Sequence, residues 1–129
     1  MTYDVDFDDT GPFDVVVRAS GAFNLNEFMD GRERILGDPR FRPGMNVLVD
    51  HSLLDLSSAS TEDVRTAAAT AGRRYAGSEG PARIAIVAPQ PVAFGLGRMW
   101  QALTADELAD NSVVVGTVEE ANAWLESCL

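Results

Sequence analysis

Asp50, His51 and Ser52 stand side by side and supply the residue types of a hydrolytic triad. A nucleophile, its base and an orienting carboxylate must converge from different directions, which three consecutive residues cannot do. The chain also lacks the G-x-S-x-G turn that presents a nucleophilic serine in α/β hydrolases. The triplet reads as a strand end followed by a polar loop, and no catalytic residue is assigned. Asp50 alone stays a candidate ligand-binding residue. It closes an apolar strand on the side where open α/β sheets bind their ligands.

The run Gly95-Leu96-Gly97-Arg98-Met99-Trp100 begins like a dinucleotide-binding fingerprint. Trp100 occupies the place of the third glycine, and the first glycine falls inside a helical pattern instead of the preceding turn. Nucleotide binding is rejected on this motif, and Gly95 is read as a point of close helix–sheet packing. Phe94, Arg98 and Gln101 fall on the other face of the same helix. An aromatic and an arginine one turn apart and facing outward suit an interface with a partner or a second subunit. The other reading, Phe94 covered by its own domain, stands beside that one.

Metal and covalent chemistry find little to work with. Cys128 is the one cysteine and His51 the one histidine, too few for a cysteine-rich zinc site or one needing two histidines. All ten basic residues are arginine, which excludes lysine Schiff bases and lysine-dependent phosphate loops. No metal and no cofactor are expected. The formal net charge of −10 disfavours nucleic acid and anionic lipid as partners. No apolar run approaches the roughly 20 residues of a membrane-spanning helix. The beginning, Met1-Thr2-Tyr3-Asp4, has neither the basic nor the apolar part of a signal peptide, so a cytoplasmic address is expected.

The elements that must position these residues are legible in order. With 129 residues and 46% hydrophobic content, the chain suits one domain, 1–129. Tyr3 to Asp8 alternates apolar and acidic residues as a half-buried strand does. After the turn Asp9-Thr10-Gly11-Pro12, Phe13 to Ala19 predicts the second strand of an antiparallel hairpin. Asn24 with Glu27 opens a helix that Gly37 ends. Met45 to Asp50 predicts a buried strand, and His51 to Ala59 an irregular loop. Ser60 with Asp63 opens a second helix through Tyr75, whose inward stripe is Val64, Ala67, Ala68, Ala71 and Tyr75. Side chains this small either bring a helix close to its sheet or leave space beneath it. Gly77-Ser78-Glu79-Gly80-Pro81 then leads into the next strand.

The stretch Ala82 to Leu103 is the centre of the pattern. Arg83 to Ala88 reads as a strand buried on both faces, and Pro91 as the first turn of a helix with Val92, Leu96, Met99 and Leu103 inward. Thr104 to Asn111 is a polar connection, Ser112 to Gly116 a last strand, and Thr117 with Glu120 the start of a final helix. A hairpin followed by three βα units predicts an α/β domain with a mixed sheet of five strands, mainly parallel, packed by helices.

This order, the segment Asp38-Pro39-Arg40-Phe41-Arg42-Pro43-Gly44, the strands NVLVD and RIAIVAP, the run from Phe94 to Gln101 and the ending VEEANAWL resemble bacterial SpoIIAA-like proteins. These share the STAS fold and are compared with SEC14-type lipid-binding modules; the resemblance covers roughly positions 3 to 126. It implies a non-enzymatic regulatory module acting through protein contacts, with a carrier or sensor of a lipid or other apolar small ligand as the alternative. STAS-type anti-sigma-factor antagonists are phosphorylated on a serine of an Asp-Ser-Ser-Gly motif at a helix start. The matching segment here is Asp55-Leu56-Ser57-Ser58-Ala59, with Leu56 inserted and Ala59 in the glycine position. On that resemblance Ser57 and Ser58 are candidate phospho-acceptors, where added charge would act on the helix dipole and on a partner-binding face.

Overall fold

The computed structural model describes residues 1–7, 11–75, 80–108 and 111–128. The predicted turn through Asp9 and Thr10 and the loop residues Gly77, Ser78 and Glu79 lie outside the described residues, as does Asp8.

Apolar alternation and short β-branched runs build one mixed sheet. Its strands are β1 (Thr2–Asp6), β2 (Val15–Ala22), β3 (Asn46–Asp55), β4 (Arg83–Val87) and β5 (Ser112–Val115). They lie in sequence order across the sheet, β1 antiparallel to β2 and every other pair parallel. In β1 the exposed Asp4 and Asp6 alternate with Tyr3, Val5 and Phe7, which pack into the core beside Val15 and Val17. The hairpin, the strand count and the parallel βα units match the pattern in the sequence. The second strand begins two residues later than expected, at Val15, and continues to Ala22.

The helices are α1 (Leu25–Leu36), α2 (Thr61–Tyr75), α3 (Pro91–Leu103), the single turn α4 (Ala105–Leu108) and α5 (Val118–Ser127). Three of them start on side-chain caps. The Asn24 side chain accepts from the Glu27 N–H (3.0 Å), while the Glu27 carboxylate turns to the Met1 amino group (2.6 Å). Ser60 and Asp63 form the full reciprocal box, at 3.1 and 3.0 Å. Thr117 caps α5 by accepting from the Glu120 N–H at 3.1 Å. The polar connection after α3 holds the turn α4, which buries Leu108 in the core with Ile84, Ala93 and Val114.

Alternate strand residues feed two cores. Leu48, Ala85, Val87 and Val115 meet Ala121 and Leu125 of α5 together with Phe13. Val47, Val49, Ile84, Ile86 and Val114 point the other way, toward α1, α2 and α3. The domain is thus a helix–sheet–helix sandwich with one long helix on one face and three on the other.

Two expectations about local structure need correction. His51 to Asp55 continues β3 and is not a loop. Helix α3 is also rotated relative to the expected stripe. Ala93 is buried and Leu96, Gly97 and Trp100 face the sheet, whereas Val92 and Leu103 are 59% and 47% exposed. The cause is close approach. A Cβ on Gly97 would stand 3.1 Å from Val114 Cγ1, whereas one on Gly95 would meet nothing within 4 Å. Gly97, not Gly95, is the packing glycine.

Candidate functional site

Helix α2 presents Ala67, Ala68, Ala71 and Gly72 as its buried residues. With α1 and α3 on either side of it, such small side chains do not fill the layer. A cavity of about 150 Å³ remains between the helices and the sheet. Val17, Val47, Val49, Ile84 and Ile86 form its floor, and Phe23, Phe28, Phe41, Val64, Leu96 and Trp100 are among the residues that wall it. The lining is overwhelmingly apolar, with His51, Arg32, Asp63 and the two tyrosines as its polar members.

His51 is placed there by an irregularity in β3. Arg18 pairs with Asp50 and Ser20 with Leu53, so Ala19 alone opposes both His51 and Ser52. This is a β-bulge, the device by which sheets re-aim a side chain beside a site. Asp50 stabilises it from within. Its Oδ1 accepts from the Ser52 N–H (2.9 Å) and hydroxyl (2.5 Å), satisfying a donor that the disturbed ladder leaves over. Gln90, in the turn before α3, adds a bond from Nε2 to the Ser52 carbonyl at 3.3 Å.

The His51 ring lines the cavity beside Phe28, edge-on with centroids 6.3 Å apart. Although part of the residue reaches the surface, its Nε2 is buried and has no hydrogen-bond partner. Burial pushes its pKa down to about 4, against a smaller upward pull from the Asp50 carboxylate. The imidazole is therefore neutral at physiological pH. Buried polar atoms are nearly always paired, so an unpartnered ring nitrogen on a residue that lines an apolar chamber calls for an explanation.

Tyr3 and Tyr75 bound the same chamber, each lying on a glycine. A Cβ at Gly31 would overlap the Tyr3 ring, and one at Gly80 the Tyr75 ring. Burial raises the pKa of both phenols, Tyr3 to about 12, so both stay protonated. Tyr3 donates to the Phe28 carbonyl at 3.3 Å. Arg32, one helical turn beyond Phe28, donates from Nη1 to the Ala67 carbonyl at 3.4 Å and so ties α1 to α2. Its Nε lies 3.6 Å from Glu33 Oε1, an ion-pair distance that leaves Nε without a hydrogen bond.

The residues singled out in the sequence fall elsewhere. Asp50 stands two residues from Leu48, on the α5 face of the sheet, and does not line the cavity. Its work is within the bulge. Ser57 and Ser58 are exposed in the turn after β3, where Asp55 accepts from the Ser57 N–H at 2.9 Å. These bonds from Ser57 hold the Asp55 carboxyl below its usual range. Phe94 is 37% exposed and Arg98 is exposed as well. Gln101 does not join them in a free patch, because its amide donates to the Ser112 carbonyl of β5 at 2.7 Å. The structure brings together His51, Phe28, Arg32 and Trp100 around the chamber; in the sequence His51 and Trp100 drew notice only within the rejected triplet and the rejected fingerprint, and Phe28 and Arg32 not at all. The alanine stripe of α2 was the one visible signal, since it left open a space beneath the helix.

Among the described residues no group of three or more His, Cys, Asp or Glu is placed to hold a metal ion, and no helix is long and apolar enough to cross a membrane. Comparison of the chain with protein-family models, curated proteins and solved structures gives no match.

Proposed function

We propose that the protein is a non-enzymatic carrier or sensor that takes up a small apolar ligand between its sheet and helices α1 to α3. The observation that carries this reading is the apolar chamber of about 150 Å³. An apolar space of about this volume holds one benzene-sized molecule. Apolar pockets with few polar groups are also the general form of a small-molecule site. A STAS or SpoIIAA-like identity and a cytoplasmic location belong to the same proposal. The first is supported by the element order and by the segments around Asp38, Arg83 and Phe94. Native mass spectrometry of gently purified protein, followed by titration with toluene monitored by NMR, tests the reading. Retained mass or saturable shifts at Ile84, Ile86 and Val64 are expected; a clean apo mass with no toluene shifts overturns it. Turnover in a hydrolase, phosphatase or oxidoreductase screen would remove the non-enzymatic part.

A regulatory role through protein contacts is the second reading. The exposed apolar side chains Leu53 (77%), Val92 (59%) and Leu103 (47%) favour it, with Phe94 and Arg98 as further contacts. Phosphopeptide mapping at Ser57 and Ser58 and sedimentation of a Phe94→Ala variant test its two parts. Unmodified serines and unchanged association would leave it without support.

A further inference from the structure

We propose that the chamber selects a monocyclic aromatic ligand bearing one hydroxyl group, which donates a hydrogen bond to Nε2 of His51. The inference rests on the ligand-binding reading above and names the ligand class for that site.

Size comes first: the free volume of about 150 Å³ accommodates one six-membered ring and a small substituent. Shape and chemistry come next. Phe23, Phe28, Phe41 and Trp100 surround the space, and aromatic rings pack favourably edge-on or offset against such neighbours. Then comes polarity. A wholly apolar ligand would leave Nε2 of His51 as unpaired as it is now. A neutral imidazole offers one bare nitrogen that accepts and one N–H that donates; the proposal puts the bare nitrogen at Nε2, for which a phenolic hydroxyl is a strong donor. Nothing else at the bulge competes for this role, since Asp50 is engaged with Ser52 on the other side of the sheet.

Charge excludes the obvious rival, an aromatic carboxylate. Among the described residues its only cationic partner on the chamber wall is Arg32, which is bonded to the Ala67 carbonyl and lies beside Glu33. The chain as a whole carries −10. Burying an anion in an apolar space without a dedicated cation is strongly unfavourable. A neutral hydroxyl meets no such barrier.

His51 is the only histidine, so its ring nitrogens give ¹⁵N signals free of overlap in the unaltered protein. Phenol, toluene and benzoate are the probes. Phenol is expected to bind about tenfold more tightly than toluene, the size of one net hydrogen bond, and to shift the Nε2 signal. Toluene should bind without moving it. In His51→Leu the phenol affinity should fall about tenfold while toluene binding persists, which also reports an intact chamber; His51→Gln should restore part of the difference. Equal affinities for phenol and toluene with a static Nε2 signal would mean that a water or nothing serves this nitrogen. That result overturns the hydroxyl selectivity and leaves the apolar-ligand reading standing. Benzoate binding more tightly than phenol would transfer the polar contact to Arg32 and also overturn it. If none of the three binds, both readings fall together.

Discussion

The two faces of one sheet are packed on opposite principles. Residues one apart on the same strands serve them: Leu48, Ala85 and Val87 on one side, Val49, Ile84 and Ile86 on the other. On the α5 side, Phe13, Leu125 and Ala121 are all but completely buried against that set. On the other side three helices cover the sheet, yet the central one brings alanines, and an apolar chamber remains. More helices therefore give less filling. The face with the single helix is filled, and the face with three keeps a cavity.

The sharpest way to break this contrast is to remove volume from the filled side. Leu125 is 1% exposed. Leu125→Ala should cost about 2–5 kcal/mol, because the lost contacts and the new cavity both count. Urea denaturation measures it. A loss below about 1 kcal/mol would mean that the α5 face is no better packed than its opposite.

Adding volume asks the reverse question with one substitution at two places. Ala121→Leu forces extra methylenes into the packed face, where overpacking costs about 1–3 kcal/mol. Ala67→Leu places the same atoms beside the chamber and should leave stability nearly unchanged while weakening toluene binding. Equal destabilisation by both would show that the chamber wall has no slack.

Protonation probes the hollow side alone. The pKa of His51 falls from 6.5 to about 4 on folding because its ring is buried. Between those values the unfolded chain binds the proton and the folded one does not. Stability should therefore decrease as pH falls through that window, by on the order of 3 kcal/mol, and be indifferent to this group above pH 7. Asp38, held near 2 by its bonds to Arg40, loses most of its contribution below its ordinary value of 3.8, so a comparison at pH 4.5 reads His51 with little from this group. Denaturation midpoints of wild type and His51→Gln at pH 7 and pH 4.5 give the measurement. An equal loss in both proteins would remove His51 as the cause.

Most of the architecture was legible because period and caps are local. Alternation in Tyr3 to Phe7, the β-branched runs of β4 and β5, and Ser60 with Asp63 each state their structure within a few residues. The site was not legible for the opposite reason. His51 carries no signal by itself, and its place depends on a two-against-one register with Ala19, far off in the chain. A strand ending at Asp50 was the natural reading of NVLVD, since the next residues are polar. Parallel pairing with β2 carries the strand on to Asp55, and the bulge moves the chemistry from Asp50 to its neighbour.

Helix α3 shows the same limit in miniature and supplies the smallest test. Its apolar residues allow two stripes, and choosing between them depends on which glycine the sheet touches. Gly95 has open space where a side chain would go, whereas Gly97 has Val114 at 3.1 Å. Glycine inside a helix costs about 1 kcal/mol relative to alanine. Gly95→Ala should therefore raise stability by about 0.5–1 kcal/mol. Gly97→Ala gains the same helical preference but must push back the buried Val114, so its net effect should be near zero or unfavourable. Thermal melts of the two single variants decide the matter. An equal rise in both would mean that Val114 yields freely and that the hollow face tolerates added volume at this edge. A rise for Gly97 alone would restore the stripe through Val92 and Leu103 that the helical period suggests.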